Sequence, residues 1–149
     1  MAESNWILLI AILFTGLFSE NILYFIHSKT SFVYMPIWWA MGLAIMLERL
    51  GAMYLQIYSL TNDIVWHIAN GISGLLMLGF TIIFYNTFGV IGVPLGWAAG
   101  YGIFYLPYSI VLSLKKFKPK SKIKELIYNI LPILIILTVL NISLYKNYE

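Results

Sequence analysis

Residues 64–85 read IVWHIANGISGLLMLGFTIIFY, and this stretch decides the fold of the chain. It contains no acidic or basic residue except His67. A helix of about 20 mostly apolar residues is long enough to cross the hydrocarbon core of a bilayer. Residues 64–85 therefore predict a transmembrane α-helix.

Four further segments on either side of this stretch have the same apolar character. The two that precede it carry a few ionisable or amide side chains, whereas the two that follow it carry no acidic or basic residue. The chain is therefore predicted to be an all-α integral membrane protein, a bundle of about five transmembrane helices in a single domain over residues 1–149. The predicted helices span residues 7–26, 33–58, 64–85, 90–114 and 126–145, and residues 59–63 offer several N-cap side chains for the third.

The composition supports the same conclusion. Hydrophobic residues make up 61% of the 149 residues, and charged residues only 10%. Soluble domains carry about 25% charged residues, so much of this surface must face lipid. The chain has no cysteine, which excludes disulfides, cysteine-bound zinc and thiol catalysis.

The basic residues are unevenly distributed along the chain. Six of the nine lie between Lys115 and Lys124, with apolar segments on both sides. The positive-inside rule places this lysine loop in the cytoplasm, near anionic headgroups, and nucleic acid is not expected as a partner. The expected location is the cytoplasmic membrane, with several crossings. Counting back through five helices puts residues 59–63 inside, and Lys29 and residues 86–89 outside.

Glu48 and Arg49 are the most unusual pair in the predicted second helix. A charge at the membrane centre costs about 2.5–3.5 kcal/mol on insertion scales. The two side chains diverge by 100°, and pairing of Arg49 with Glu20 is not expected because their depths differ by roughly 15 Å. Two interpretations remain open: either residue lines a hydrated cavity, or both lie near the inner interface and extend their charged ends into water.

Asp63, His67, Asn70 and Gly74 have the spacing of one helix face. A carboxylate four residues before a histidine could tune a proton relay, but helix capping and bonds between helices are the favoured interpretation. The other histidine, His27, is expected on the opposite side, so no metal site is predicted. The chain lacks phosphate-loop and nucleophile motifs, and neither a catalytic residue nor a cofactor is expected.

Two rows of residues run along the fourth predicted helix. Glycines at every fourth position form the small-xxx-small pattern, which predicts close packing of helix backbones, within the chain or against a partner. The aromatic row could stack on sugar rings, but filling the core and anchoring interfaces is the favoured interpretation. The rows are Gly92, Gly96 and Gly100, and Trp97, Tyr101, Tyr105 and Tyr108.

Residues 47–117 contain four motifs in a distinctive order. They read LERLGAM at 47–53, TNDI at 61–64, NGISG at 70–74 and FGVIGVPLG at 88–96, and a tyrosine-rich helix and a basic loop follow. This half of the chain resembles the C-terminal part of polysaccharide (O-antigen-type) flippases, in the multidrug, oligosaccharidyl-lipid and polysaccharide exporter superfamily. By this resemblance, Glu48 and Asn62 fall at motif positions of the family.

The resemblance implies a role in moving lipid-linked glycan units across the cytoplasmic membrane. Members of the family have two pseudo-symmetric lobes around a central cavity, and this chain supplies part of one lobe. The expected partners are therefore membrane lipids, a lipid-linked oligosaccharide and a partner chain that supplies the missing lobe. The substrate-path candidates are Glu48, Arg49, Asn62, Asp63 and His67.

Two alternatives to a transporter remain. The first is a structural or assembly subunit of a membrane complex, with the glycine row as its docking face. The second, less favoured, is a membrane-embedded enzyme that modifies glycans, with Asp63 and His67 as its best pair. Because no catalytic motif accompanies that pair, we expect that the chain is not an enzyme.

Overall fold

The computed structural model describes residues 2–117 and 122–145, and this described part is 88% helical and has no strand. The predicted all-α class is therefore confirmed. A 3₁₀ turn, Gly89–Ile91, precedes α4, and a π-helical turn, Tyr101–Tyr105, joins α4 to α5. The helices are α1 Ala2–Phe25, α2 Met35–Ser59, α3 Trp66–Phe88, α4 Gly92–Gly100, α5 Leu106–Lys116 and α6 Lys122–Tyr145.

Four helical stretches in the described residues are long and apolar enough to cross a membrane. They are Glu3–Phe25, Met35–Ser59, Trp66–Lys116 and Lys124–Tyr145. The third has 51 residues and contains Gly89, whose φ of 66° lies in the left-handed region that glycine tolerates. The chain reverses there, so α3 runs antiparallel to the α4–α5 segment.

The start of α3 differs from the prediction. The expected cap among residues 59–63 is wrong, because the N-cap is Val65 and it makes no side-chain cap hydrogen bond. The polar residues instead close the turn after α2: Thr61 Oγ1 donates to the carbonyl of Tyr58 at 2.8 Å, and Asn62 adopts a φ of 68°. Asparagine tolerates this left-handed conformation better than most residues.

The last helix begins four residues before the predicted start at 126, at Lys122. Part of the predicted lysine loop is therefore helical. Residues 118–121 of that loop lie outside the described residues. Pro132 lies inside α6, as the sequence indicated.

Helix α2 lies at the centre of the bundle. It contacts α1 and α6, and it also contacts α4, the π-helical turn and α5. Half of its most apolar 18 residues are buried within the protein, compared with 6% of the most apolar 18 residues of Trp66–Lys116. The completely buried apolar side chains of α2 include Ala40, Met46, Leu50 and Leu55. A helix with neighbours on several sides has little surface left for lipid.

The glycine row of α4 faces α3 of the same chain. A methyl group added at any of these glycines would overlap atoms of α3, so the two backbones approach as closely as glycine allows. The facing pairs are Gly92 and Phe84, Gly96 and Thr81, and Gly100 and Met77. The row is covered by α3, and it therefore does not form the partner-docking face that the assembly-subunit alternative requires.

Candidate substrate-path site

Glu48 lies near the middle of the central helix and is half-buried. It faces the π-helical turn, where the hydroxyls of Tyr101 and Tyr105 lie within electrostatic reach of its carboxylate. The charge of the neighbouring Arg49 also acts on Glu48. Of the predicted substrate-path residues, Glu48 is therefore the one that interacts electrostatically with the π-helical turn.

The π-helical turn has a local cause in the sequence. Pro107 lies two residues after its end at Tyr105. Proline has no amide hydrogen, and its ring clashes with the preceding turn of a regular α-helix. Turns of this kind occur frequently at functional sites. Tyr105 is 1% exposed and packs on the open backbone of Gly51, and its ring centroid lies 5.5 Å from that of Tyr101. Two phenol rings are thus fixed beside α2.

Arg49 points away from this cluster and is exposed. Its Nη2 donates a hydrogen bond to Ser4 Oγ at 3.3 Å, close to the start of α1. Glu20 lies 16 residues further along α1 (20 minus 4), which is about 24 Å. Arg49 therefore does not pair with Glu20, in agreement with the sequence argument, and it reaches the end of the bundle while Glu48 stays inside it.

The other three predicted substrate-path residues, Asn62, Asp63 and His67, are all exposed. The predicted helix face shared by Asp63 and His67 is wrong, because Asp63 lies in the loop before α3. The hydroxyl of Tyr58 instead donates to Asp63 Oδ2 at 3.4 Å. Asp63 therefore stabilises the turn between α2 and α3.

The structure does not bring Glu48 together with Asn62 and Asp63. Glu48 lies 11 residues before the end of α2 at Ser59 (59 minus 48), which is about 16 Å along the helix. Residues 61–64 and residues 47–53, although both belong to the resemblance, therefore lie at different depths. Of Glu48, Asn62 and Asp63, Glu48 is the residue that interacts with the tyrosines of the π-helical turn.

The predicted aromatic row is divided by the π-helical turn. Trp97 is 44% exposed, whereas Tyr105 is almost completely buried. Tyr108 stacks on Phe104 with ring centroids 5.1 Å apart. The rings therefore have different surroundings, because the wider π-helical turn changes the direction of every side chain that follows it.

A buried polar cluster between α1, α2 and α6 was missed by the sequence analysis. Asn5 Nδ2 donates to Asn129 Oδ1 at 3.4 Å, and Asn129 Nδ2 donates to the carbonyl of Glu125 at 2.8 Å. Both asparagines are at most 1% exposed, and the nearby Tyr54 hydroxyl lies within electrostatic reach of Asn129. The sequence did contain a signal for this cluster, because each of two apolar helices carries an asparagine. Such side-chain amides usually bond to a neighbouring helix.

The geometry thus selects Glu48, Tyr101 and Tyr105 as the candidate site. Glu48 is able to accept hydrogen bonds and the half-buried Tyr101 to donate and accept them, which suits a polar ligand with hydroxyl groups, whereas Tyr105 is buried against Gly51 and supports their position. A scan against protein-family models, a search of curated proteins and a search of solved structures each found no match to this chain.

Proposed function

We propose that this chain is part of a multi-pass transporter that moves lipid-linked oligosaccharide across the cytoplasmic membrane, with a partner chain that completes the substrate path. The proposal draws on the order of the motifs in residues 47–117 and on one structural observation. That observation is the half-buried carboxylate of Glu48 beside the π-helical turn. The lysine loop would face the cytoplasm.

The position of Glu48 supports this proposal for an energetic reason. An ionisable side chain inside a membrane helix is costly, and such residues usually line substrate or ion pathways. Irregular helical backbone at membrane depth is likewise typical of surfaces that face a cavity. Glu48 and the π-helical turn combine both features on the α2–α5 side of the bundle.

The need for a partner follows from the way transporters work. Alternating access requires two bodies that rock about a shared site near the bilayer midplane. The described helices form one bundle around α2. A second body would therefore come from another chain, and Glu48 would bind substrate hydroxyls between the two.

Reconstitution in proteoliposomes tests the proposal. Translocation of a fluorescent lipid-linked oligosaccharide is measured with this chain alone and together with the product of the neighbouring gene. The variant Glu48→Gln should slow transport by about tenfold or more, the size expected for one lost charge-assisted hydrogen bond. The control Glu3→Gln changes an exposed carboxylate in the first turn of α1 and should transport like the unchanged chain.

Absence of transport in both arms would remove the proposal. Equal transport by Glu48→Gln and Glu3→Gln would also remove the proposal. Transport by the unchanged chain alone would contradict the partner but not the site.

An assembly subunit is the second candidate, and the exposed outer side of α3 is the surface it would use. Leu75, Leu78 and Ile82 are 64–73% exposed along this helix. Since the glycine row is covered, this face would be the docking surface for another membrane protein. Native mass spectrometry in mild detergent should then show a complex, and a single chain in every preparation would contradict this function.

A further inference from the structure

A cavity of about 550 Å³ lies between α1, α2 and α6, away from Glu48. It lies where α1 and α6 end and α2 begins, at the end of the bundle opposite to the loop that contains Asp63. Its volume falls within the range of small-molecule pockets, roughly 300–1,000 Å³.

The cavity has an apolar floor and a polar rim. Gly16, Trp39 and Val139 lie deeper in the bundle, whereas Glu20 and Asn21 lie closer to the end of α1. The Trp39 ring packs directly on Gly16, where any larger side chain would overlap it. This arrangement suits a ligand with a polar head and a hydrocarbon chain.

The rim carries a negative charge that the described residues do not neutralise. Glu20 and Asn21 make no side-chain hydrogen bond or ion pair within residues 2–117 and 122–145. Glu20 is exposed at the cavity rim, and a carboxylate within a membrane-crossing helix is usually paired with a positive charge. Charge complementarity therefore favours a cationic head that brings its own hydrogen-bond donors.

We propose that this cavity binds a membrane lipid with a primary ammonium headgroup, such as phosphatidylethanolamine. The ammonium group would donate to the Glu20 carboxylate and to the Asn21 side-chain carbonyl, and an acyl chain would lie against Trp39 and Val139. A quaternary choline headgroup carries the same charge but has no N–H donor. The site therefore distinguishes the two headgroups by hydrogen bonding.

Native mass spectrometry of the detergent-solubilised chain tests this site. The chain is titrated with phosphatidylethanolamine and with phosphatidylcholine of identical acyl chains. The ethanolamine lipid should bind at least about tenfold more tightly, the ratio expected for a charge-assisted hydrogen bond. Equal binding of the two lipids, or tighter binding of a neutral glycolipid, would overturn the proposal.

Three variants test whether the lipid preference arises from Glu20 and whether the lipids bind in this cavity. Glu20→Gln keeps the shape of the side chain and should abolish the preference for ethanolamine, whereas the control Glu3→Gln should retain it. Ile142→Trp, at the cavity wall and 62% exposed, should weaken the binding of both lipids by filling the space. A preference that survives in Glu20→Gln would overturn the assignment.

The lipid site is independent of the proposed transport. Lipid binding is measured without any translocation, and Glu48 does not line the cavity. Separate experiments therefore test the two proposals, and failure of one leaves the other in place.

Discussion

The carboxylate of Asp63 lies 3.9 Å from Nζ of Lys116. Asp63 precedes α3 and Lys116 ends α5, so the loop after α2 and the start of the lysine loop lie at the same end of the bundle. Both side chains are more than half exposed, and such ion pairs contribute about 0–1 kcal/mol. The contact therefore shows that the two segments lie close together, but it adds little to the stability of the protein.

Cysteine labelling should reproduce this arrangement. Because the chain has no cysteine, each single-cysteine variant reports one position. Asn62→Cys and Lys116→Cys should react with a membrane-impermeant maleimide in inside-out vesicles, and Ser31→Cys and Asn86→Cys in right-side-out vesicles. Labelling of Asn62→Cys and Asn86→Cys from the same side would contradict an α3 that crosses the membrane.

Replacing a glycine that faces α3 should destabilise the bundle. Gly96→Leu forces a side chain into the backbone of Thr81, and overpacking of this kind costs about 1–3 kcal/mol. Gly79→Leu is the matched control, since an added group there meets open space. The free energy of unfolding is measured by SDS titration in mixed micelles. A Gly79→Leu variant that is as unstable as Gly96→Leu would show that the effect is not caused by contact with α3.

Removing the amide of Asn129 should weaken the contact between α1 and α6. Asn129→Leu leaves the buried Asn5 amide without its partner, and hydrogen bonds between membrane helices contribute about 0.6 kcal/mol on average and up to about 1.7. Asn141→Leu is the control, because Asn141 is exposed on the same helix. A double-mutant cycle with Asn5→Leu gives the coupling energy, and zero coupling would contradict the bond.

The contact between Gly51 and Tyr105 should be visible as non-additive stability. Gly51→Ala places a methyl group against the Tyr105 ring and should destabilise the protein by about 1–3 kcal/mol. Tyr105→Leu removes the ring, so the two changes together should cost less than the sum of the single changes. Gly102→Ala is the control, since its nearest neighbour, at 3.7 Å, leaves room for a methyl group. Strict additivity would contradict the packing.

The helices were predictable because their apolar runs are long and their breaks are short. Residues 64–85 and 90–114 correspond to α3 and to the α4–α5 segment within a few residues. The helix ends were less predictable, since side chains such as Thr61 and Asn62 are able either to cap the next helix or to close the previous one. That choice depends on where the following backbone turns.

The candidate site was predictable only in part. Glu48 was identified because a carboxylate inside an apolar helix is costly wherever the helix is placed. Its neighbours in space were not, because the π-helical turn rotates Tyr101 and Tyr105 relative to Trp97. The Asn5–Asn129 bond joins residues 124 positions apart, and helical spacing carries no information about that distance.

The sequence by itself determined that this chain is helical and apolar, because those properties depend only on local composition and length. It predicted about five membrane-crossing segments, whereas the described residues contain four helical stretches that are long and apolar enough to cross. Only the tertiary structure decided that α2 is central, that the glycine row faces α3, and that Glu20 borders a cavity. These features depend on which surfaces meet, and several arrangements of the same helices satisfy the same hydrophobic pattern.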